Sequence, residues 1–187
     1  GQRIFEKRKA FLNAFLPVFN RFYGEISGQR EEVSIEYLSQ LNEAEPARLL
    51  EESLNRDLVL KYTTTGIHKD DLEFLIGGFP VKKFGSQGQQ KSFVVAIKLA
   101  QFEFTRSIIG YKPILLLDDI FDKLDEQRVK TLIHLTGEEK FGQVFITDTH
   151  LSRIEDIFKE IVLDHAVFEV MREIPEGKAK VEKIQGS

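Results

Sequence analysis

Three observations predict an α/β fold with a parallel sheet. The second half of the chain alternates strand-like runs with amphipathic stretches, a pattern that requires crossover helices between parallel strands. Ile114-Leu115-Leu116-Leu117 is a short, unbroken apolar run opened by Pro113, which reads as a strand buried on both faces. That run leads straight into Asp118 and Asp119, and the ends of such strands are where open α/β sheets hold ligands.

In order along the chain, Ile4, Phe5, Phe11, Leu12, Phe15, Phe19, Phe22 and Ile26 recur at close to helical spacing. They predict a helix over 4–26, with Arg3, Lys7, Arg8, Lys9 and Arg21 interleaved and a kink or interruption at Pro17. The chain opens inside this pattern with no capping residue ahead of it, which reads as part of something longer. Val33–Leu38 alternates with period two and predicts a half-buried strand. A helix begins at Pro46, with Leu49, Leu50, Leu54 and Leu58 on one face. Leu72–Ile76 is a further strand, stopped by Gly77-Gly78.

Beyond it, helices are predicted over 89–108 (Phe93, Ile97, Ala100 and Phe104 on one side), 126–139 and 151–159, with strands over 114–118 and 143–147. Val167–Val170 and Ala179–Ile184 read as a closing hairpin around Pro175-Glu176-Gly177.

Composition narrows the function classes. With 187 residues, 42% hydrophobic and 30% charged, the chain can bury a core and is not a disordered segment. Its formal net charge of −4 gives no global nucleic-acid signal, so any DNA contact must come from a local basic patch or a partner. There is no cysteine, hence no disulfide framework or thiolate metal site, in keeping with a reducing compartment. No apolar run approaches membrane-spanning length and no signal-peptide layout opens the chain, so a cytoplasmic protein is expected.

The chemistry centres on two stretches. Gly85-Ser86-Gln87-Gly88-Gln89-Gln90-Lys91-Ser92 places small residues just before an amphipathic helix, where free N–H groups and the positive helix end favour an anion. It is not a Walker A loop: that loop needs glycine directly before its lysine, and position 90 is Gln. It also lacks a buried strand ahead of it, since Val81–Phe84 makes a poor one. Nowhere does Gly-x-x-x-x-Gly-Lys-Ser/Thr occur. Ser86-Gln87-Gly88-Gln89 instead resembles the signature loop of ATP-binding-cassette proteins. Together with Leu115–Phe121 and Gly142–Thr147, it resembles the RecF family of bacterial recombination proteins, whose members are similar to the heads of SMC proteins. Gly66-Ile67-His68-Lys69-Asp70-Asp71-Leu72-Glu73-Phe74 is similar to another motif of that family, which usually has proline where this chain has Ile67.

The resemblance implies the C-terminal part of an ABC/SMC-like P-loop ATPase head, a parallel sheet with flanking helices, plus a mostly helical arm lobe. Residues 1–108 would form the arm lobe with the signature loop and helix, and 109–187 the C-terminal half of the ATPase lobe. It implies that Asp118 serves Mg²⁺ as the Walker B aspartate and that Asp119 polarises the attacking water. Magnesium prefers oxygen ligands and keeps part of its hydration. Adjacent strand residues point to opposite faces, so these two acids can share a nucleotide only if the strand ends there and the backbone turns.

Ser86, Gln87, Gly88 and Gln89 would cap ATP bound to a partner head. Asp125 matches the D-loop aspartate and equally fits a helix N-cap before Glu126. His150 falls two residues from the position of the family's switch histidine, after Asp148, so a phosphate sensor and a solvated loop histidine are both open. By the same resemblance the partners are DNA at single-strand/double-strand junctions, RecO- and RecR-like mediators and a second head in an ATP-dependent homodimer. The process is recombinational repair, replication restart and the SOS response. Without a Walker A loop, these residues alone should not hydrolyse ATP.

Two other classes compete. Asp118-Asp119-Ile120-Phe121-Asp122 fits the Asp-Asp-x-x-Asp magnesium-diphosphate motif of isoprenoid synthases, which are all-helical. A non-enzymatic DNA- or partner-binding lobe is the other, with Lys82, Lys83, Lys91 and the basic first helix as contacts. His68 with Asp70 and Asp71 is a weak metal candidate, read as a turn with solvated charges.

Overall fold

The computed structural model describes residues 1–119, 121–149, 164–172 and 179–186. The chain separates into two compact units, Gly1–Thr147 and Asp148–Ser187.

The first unit is organised by two long helices. Helix α1 (Gln2–Ser27) buries Phe5, Leu12, Phe15, Phe19, Phe22, Tyr23 and Ile26 along one face. It ends at Gly28, whose left-handed backbone (φ 67°) few other residues adopt without strain. Pro17 neither interrupts nor ends α1. Its ring sits on the exposed side of the helix, and burial of the opposite stripe outweighs the lost hydrogen bond.

Helix α4 (Gln87–Ile109) lies against α1 and offers Phe93, Ala96, Leu99 and Ala100 to it. Phe93 stands 4.7 Å from Phe19, 5.6 Å from Tyr23 and 5.5 Å from Phe74, ring centre to ring centre. Phe102 and Phe22 both meet Phe141. Aromatic pairs of this kind add about 0.5–1.5 kcal/mol each beyond area burial, so the α1–α4 seam is the rigid base of this unit.

Strand β1 (Val33–Leu38) pairs antiparallel with β2 (Asp71–Ile76), from Val33 opposite Ile76 to Leu38 opposite Asp71. Gly77-Gly78, both at positive φ, turn the chain into the short β3 (Phe79–Pro80). Between β1 and β2 lies α2 (Pro46–Leu60), which starts at proline as its sequence predicts. Its leucine stripe is not core: Leu50, Leu54 and Leu58 are exposed, and Ser53 is the buried residue of this helix. Val81–Phe84 forms α3, a single helical turn rather than a strand.

Strands β4 (Leu115–Leu117) and β5 (Val144–Ile146) run parallel, Leu116 opposite Phe145, joined through α5 (Glu126–Thr136). This is the predicted strand–helix–strand unit, with α5 stopping at Gly137 rather than at 139. The expectation of burial on both faces is corrected. Leu115 and Leu117 are buried, but Ile114 is 60%, Leu116 69% and Phe145 50% exposed. The pair is two strands wide among the described residues, and only one of its faces is covered.

In the second unit, β6 (Ala166–Arg172) and β7 (Ala179–Gly186) form the predicted antiparallel hairpin, with an irregularity between Val167 and Phe168. The helix expected over 151–159 lies outside the described residues. No described helix is long and apolar enough to cross a membrane.

Candidate functional site

The predicted Ser-Gln-Gly-Gln loop is the start of α4, and its pattern has a local cause. Ser86 is the N-cap: its Oγ accepts the Gln89 N–H at 3.2 Å, while Gln89 Oε1 accepts the Ser86 N–H at 2.8 Å. This reciprocal capping box satisfies two donors that the first turn would otherwise leave orphaned. Because Ser86 Oγ serves as acceptor there, its own hydrogen remains available to donate to an anion. Gln87 lies exposed on the outer side of the turn. Gly88 is there for space: a Cβ built on it would stand 3.1 Å from the carbonyl oxygen of Lys123.

The two acids lie at the end of β4, and there the backbone turns. Asp119 has φ 47°, a left-handed conformation that few non-glycine residues hold. Two contacts fix it. Lys91 Nζ, one turn into α4, donates to the Asp119 carbonyl at 2.7 Å, and the Asp119 N–H donates to Thr147 Oγ1 at 3.1 Å. The Thr147 hydroxyl in turn donates to Asp118 Oδ1. Thr147 N–H donates to Leu117 O at 3.0 Å, so the β4–β5 ladder itself delivers this hydroxyl to the acids.

Asp118 and Asp119 are both exposed, with oxygen atoms open to solvent. Exposed carboxylate oxygens of this kind suit a hard, partly hydrated cation such as Mg²⁺. No group of three or more acidic, histidine or cysteine side chains able to hold a metal directly occurs among the described residues.

The segment after the acids packs back onto α4. Phe121 is buried, Lys123 has φ 66°, and Asp125 is the N-cap of α5, accepting Arg128 N–H at 2.8 Å. The capping alternative for Asp125 is therefore realised, with its side chain still largely exposed. Arg128 donates from Nε to Asp125 Oδ2 at 3.1 Å, from Nη1 to Ser92 Oγ at 2.7 Å and from Nη2 to Glu31 Oε1 at 2.9 Å. Glu31 also accepts Gln89 Nε2 at 3.0 Å and the Tyr23 hydroxyl at 2.5 Å. Burial works against ionising Glu31, but the bonds from Tyr23, Gln89 and Arg128 outweigh it and hold its carboxyl below the usual range. Burial, and then the bond to Glu31, pushes the Tyr23 phenol well above its ordinary value.

The segments named from the sequence, Ser86–Gln89, Asp118-Asp119 and Asp125, come together around the start of α4. The residues that join these segments, Thr147, Glu31 and Arg128, were not singled out from the sequence. The Asp125-x-x-Arg128 spacing at a helix start was the available signal for Arg128. Glu31 had none, because its partners are remote in sequence. His150 lies outside the described residues.

His68, Asp70 and Asp71 do not converge. His68 Nε2 pairs with Thr63 O at 3.0 Å, whereas Asp70 holds Arg8 at 3.0 Å and accepts the Tyr37 hydroxyl. Asp70 is no solvated charge: its side chain is 3% exposed and ties α1 to β1. Asp118, Asp119 and Asp122 follow a strand rather than lie on a helix, which removes the isoprenoid-synthase reading.

Comparison with known proteins bears on the same residues. No family model matches the chain. DNA replication and repair protein RecF of Flavobacterium johnsoniae is 54% identical over 168 residues, covering 90% of this chain and 47% of the relative. RecF of Parabacteroides distasonis is 49% identical over 172 residues, 92% of this chain and 47% of that one. The chain belongs to the RecF family. It spans about half the length of the curated RecF relatives it matches. A solved structure of the recombination mediator protein RecF-ATPrS in the RecFOR pathway superposes with TM-score 0.66 at 31% identity, covering 99% of this chain and 47% of that one. An SMC ATPase, from work on ATP-driven dimerization and DNA-stimulated activation, shares the fold at TM-score 0.53 and 15% identity over 95% of this chain and 89% of that one.

Proposed function

We propose that this chain supplies the C-terminal half of a RecF-type, ATP-dependent DNA-binding protein of recombinational repair and replication restart. In this reading two heads sandwich ATP, and the assembly promotes recombinase loading at gapped DNA together with RecO- and RecR-like mediators. The observation that carries it is the convergence at the start of α4. Lys91 reaches the Asp119 carbonyl, Gly88 approaches Lys123, and Arg128 joins Ser92 to Asp125. Relatives named RecF at 54% and 49% identity, and a RecF solved with an ATP analogue, support the assignment. The exposed Ile114, Leu116 and Phe145 are consistent with a sheet that continues into the rest of such a head.

On this reading Ser86 and the N–H groups of Gln87 and Gly88 face the terminal phosphate held by a partner head, where a helix N-terminus and a free hydroxyl favour negative charge. Asp118 holds the hydrated cation, with Thr147 fixing the rotamer of its carboxylate. Asp119 orients water from the left-handed turn that ends the strand. Mg²⁺, when bound, supplies charge neutralisation on the phosphates.

Sedimentation of the full-length protein tests the reading. ATP should convert monomer to dimer, Ser86→Arg should abolish that conversion while leaving nucleotide binding intact, and Asp119→Asn should stabilise the dimer. A full-length protein that stays monomeric at saturating ATP and Mg²⁺ would refute it. DNA affinity should fall steeply with salt, as phosphate contacts require. Residues 1–187 alone should show negligible ATP hydrolysis, and turnover abolished by Asp119→Asn would contradict the division of the site.

A further inference from the structure

We infer that Arg128, held by Glu31, is a positioning residue that makes the signature helix and the D-loop acid move as one body. The inference rests on the ATP-sandwich reading above and names how the two loops of one head would be coupled to each other.

The geometry is a closed relay. From the signature loop, the Ser86 N–H donates to Gln89 Oε1, and the other end of the same amide, Nε2, donates to Glu31. Glu31 Oε1 is shared with Arg128 Nη2, and Arg128 Nε ends the relay on Asp125 Oδ2. A second route runs in parallel: Ser92 Oγ donates to the Gly88 carbonyl at 2.8 Å and accepts Arg128 Nη1. Both routes start within Ser86–Gln89 and both converge on one guanidinium. No link in either is longer than 3.2 Å, and each joins segments that are far apart in sequence or belong to the two loops themselves.

Arginine suits this position for two reasons. Its planar fork offers five donors in fixed directions, here used toward three segments at once, which the single ammonium of lysine cannot reproduce. It also stays protonated under all physiological conditions. Arg128 and Glu31 side chains are only 15% and 16% exposed, so water cannot readily substitute for a lost link. Stability alone does not account for the pair, because buried ion pairs are commonly replaceable by apolar residues without loss. Its distinctive effect is on Asp125. With Oδ1 on the α5 backbone and Oδ2 on Arg128, the carboxylate has one orientation, with its remaining lone pairs directed to solvent. A shift of the α4 start on engaging a phosphate would therefore be delivered to the Asp125 carboxylate by hydrogen bonds rather than through loop flexibility.

The experiment compares full-length wild type, Arg128→Lys, Glu31→Gln and the double variant. ATP affinity of the monomer, ATP-dependent dimerisation by sedimentation, and Tm are measured for each. We expect monomer ATP affinity to stay within twofold and dimerisation to weaken at least tenfold in each single variant. The double variant should be no worse than either single one, the non-additivity of a shared relay. Glu31→Gln retains the shape of Glu31 and its acceptor for Tyr23, so it carries the test should Arg128→Lys fail to fold. A wild type that dimerises with ATP alongside variants that dimerise equally well, or a double variant whose losses simply add, overturns the inference and leaves the proposed function standing. A wild type that does not dimerise with ATP overturns both.

Discussion

Substituting Gly88 by alanine sets two calculable effects against each other. Gly88 is the second residue of α4, and alanine in a helix interior is favoured over glycine by about 1 kcal/mol, less so in the first turn. Against this, the new Cβ would stand 3.1 Å from Lys123 O, a backbone atom that must retreat by a few tenths of an ångström. Little around it can yield. Phe121 is anchored in the core, Asp125 is fixed as the α5 cap, and Lys123 already holds a left-handed φ of 66° that costs a non-glycine residue about 1 kcal/mol or more. Overpacking of this order costs about 1–3 kcal/mol. The steric cost wins, with a net loss of about 1 kcal/mol, which lowers Tm by about 2–4 °C in a domain of this size. Thermal melts of Gly88→Ala, with Gly88→Val as a graded second step, measure it. The valine variant should lose more, because its branches press further into the same carbonyl. A Tm that rises by the helix-propensity gain would show that the loop at Lys123 yields freely and that Gly88 is not required by close approach.

The remaining predictions concern single contacts. Thr147→Val keeps the shape and removes the hydroxyl that donates to Asp118 and accepts from the Asp119 N–H; both acids are exposed, so water limits the stability loss to about 1 kcal/mol or less. Mg²⁺-dependent nucleotide affinity of the full-length protein should nonetheless drop severalfold by calorimetry, and unchanged affinity would deny Thr147 an orienting role. Glu31 has a depressed folded-state value, so its contribution is present above the ordinary carboxyl value of 4.5 and disappears as pH falls through the lower, folded one. The Tm advantage of wild type over Glu31→Gln should accordingly be full near neutrality and shrink only below about pH 4.5; an advantage that persists undiminished at the acid end would contradict the pairing. Pro17→Ala restores an N–H donor inside α1 at an exposed position and should stabilise the chain by about 1–3 kcal/mol, read as a higher urea midpoint.

Local patterns in the sequence were enough to find the helices and most strands, because their signals are short-ranged. The phenylalanine stripe of α1, the proline start of α2 and the alternation of Val33–Leu38 each specify an element without reference to the rest of the chain. Where sequence reasoning erred, the deciding partner was distant. Pro17 reads as a kink or an interruption when only α1 is considered, and the aromatic seam with α4 carries the helix across it without interruption. The run Ile114–Leu117 has the composition of a strand covered on both faces, and composition cannot say how many neighbouring strands or helices these residues bring to cover it. Asp70 looked solvated because Arg8 and Tyr37, its two partners, are 62 and 33 positions away.

The site shows the same division at finer grain. In Ser86-Gln87-Gly88-Gln89, the serine and the second glutamine are explained locally, since together they cap α4 whether or not any ligand is present. The glycine is explained by a contact with Lys123, and the far side of Gln89 by Glu31. A capping box would tolerate many residues between its serine and glutamine. The Lys123 carbonyl, 3.1 Å from where a Cβ would stand, favours glycine at position 88, and Glu31 favours Gln89 over the Glu that would serve the cap as well, because a second carboxylate there would face Glu31 without a donor. The serine caps the helix, the glycine rests on the Lys123 carbonyl and the glutamine meets Arg128 through Glu31, so the three positions constrain one another. On the proposed reading, that mutual constraint would carry a small displacement at Ser86 to Asp125 through hydrogen bonds to Glu31 and Arg128 rather than through the loop itself.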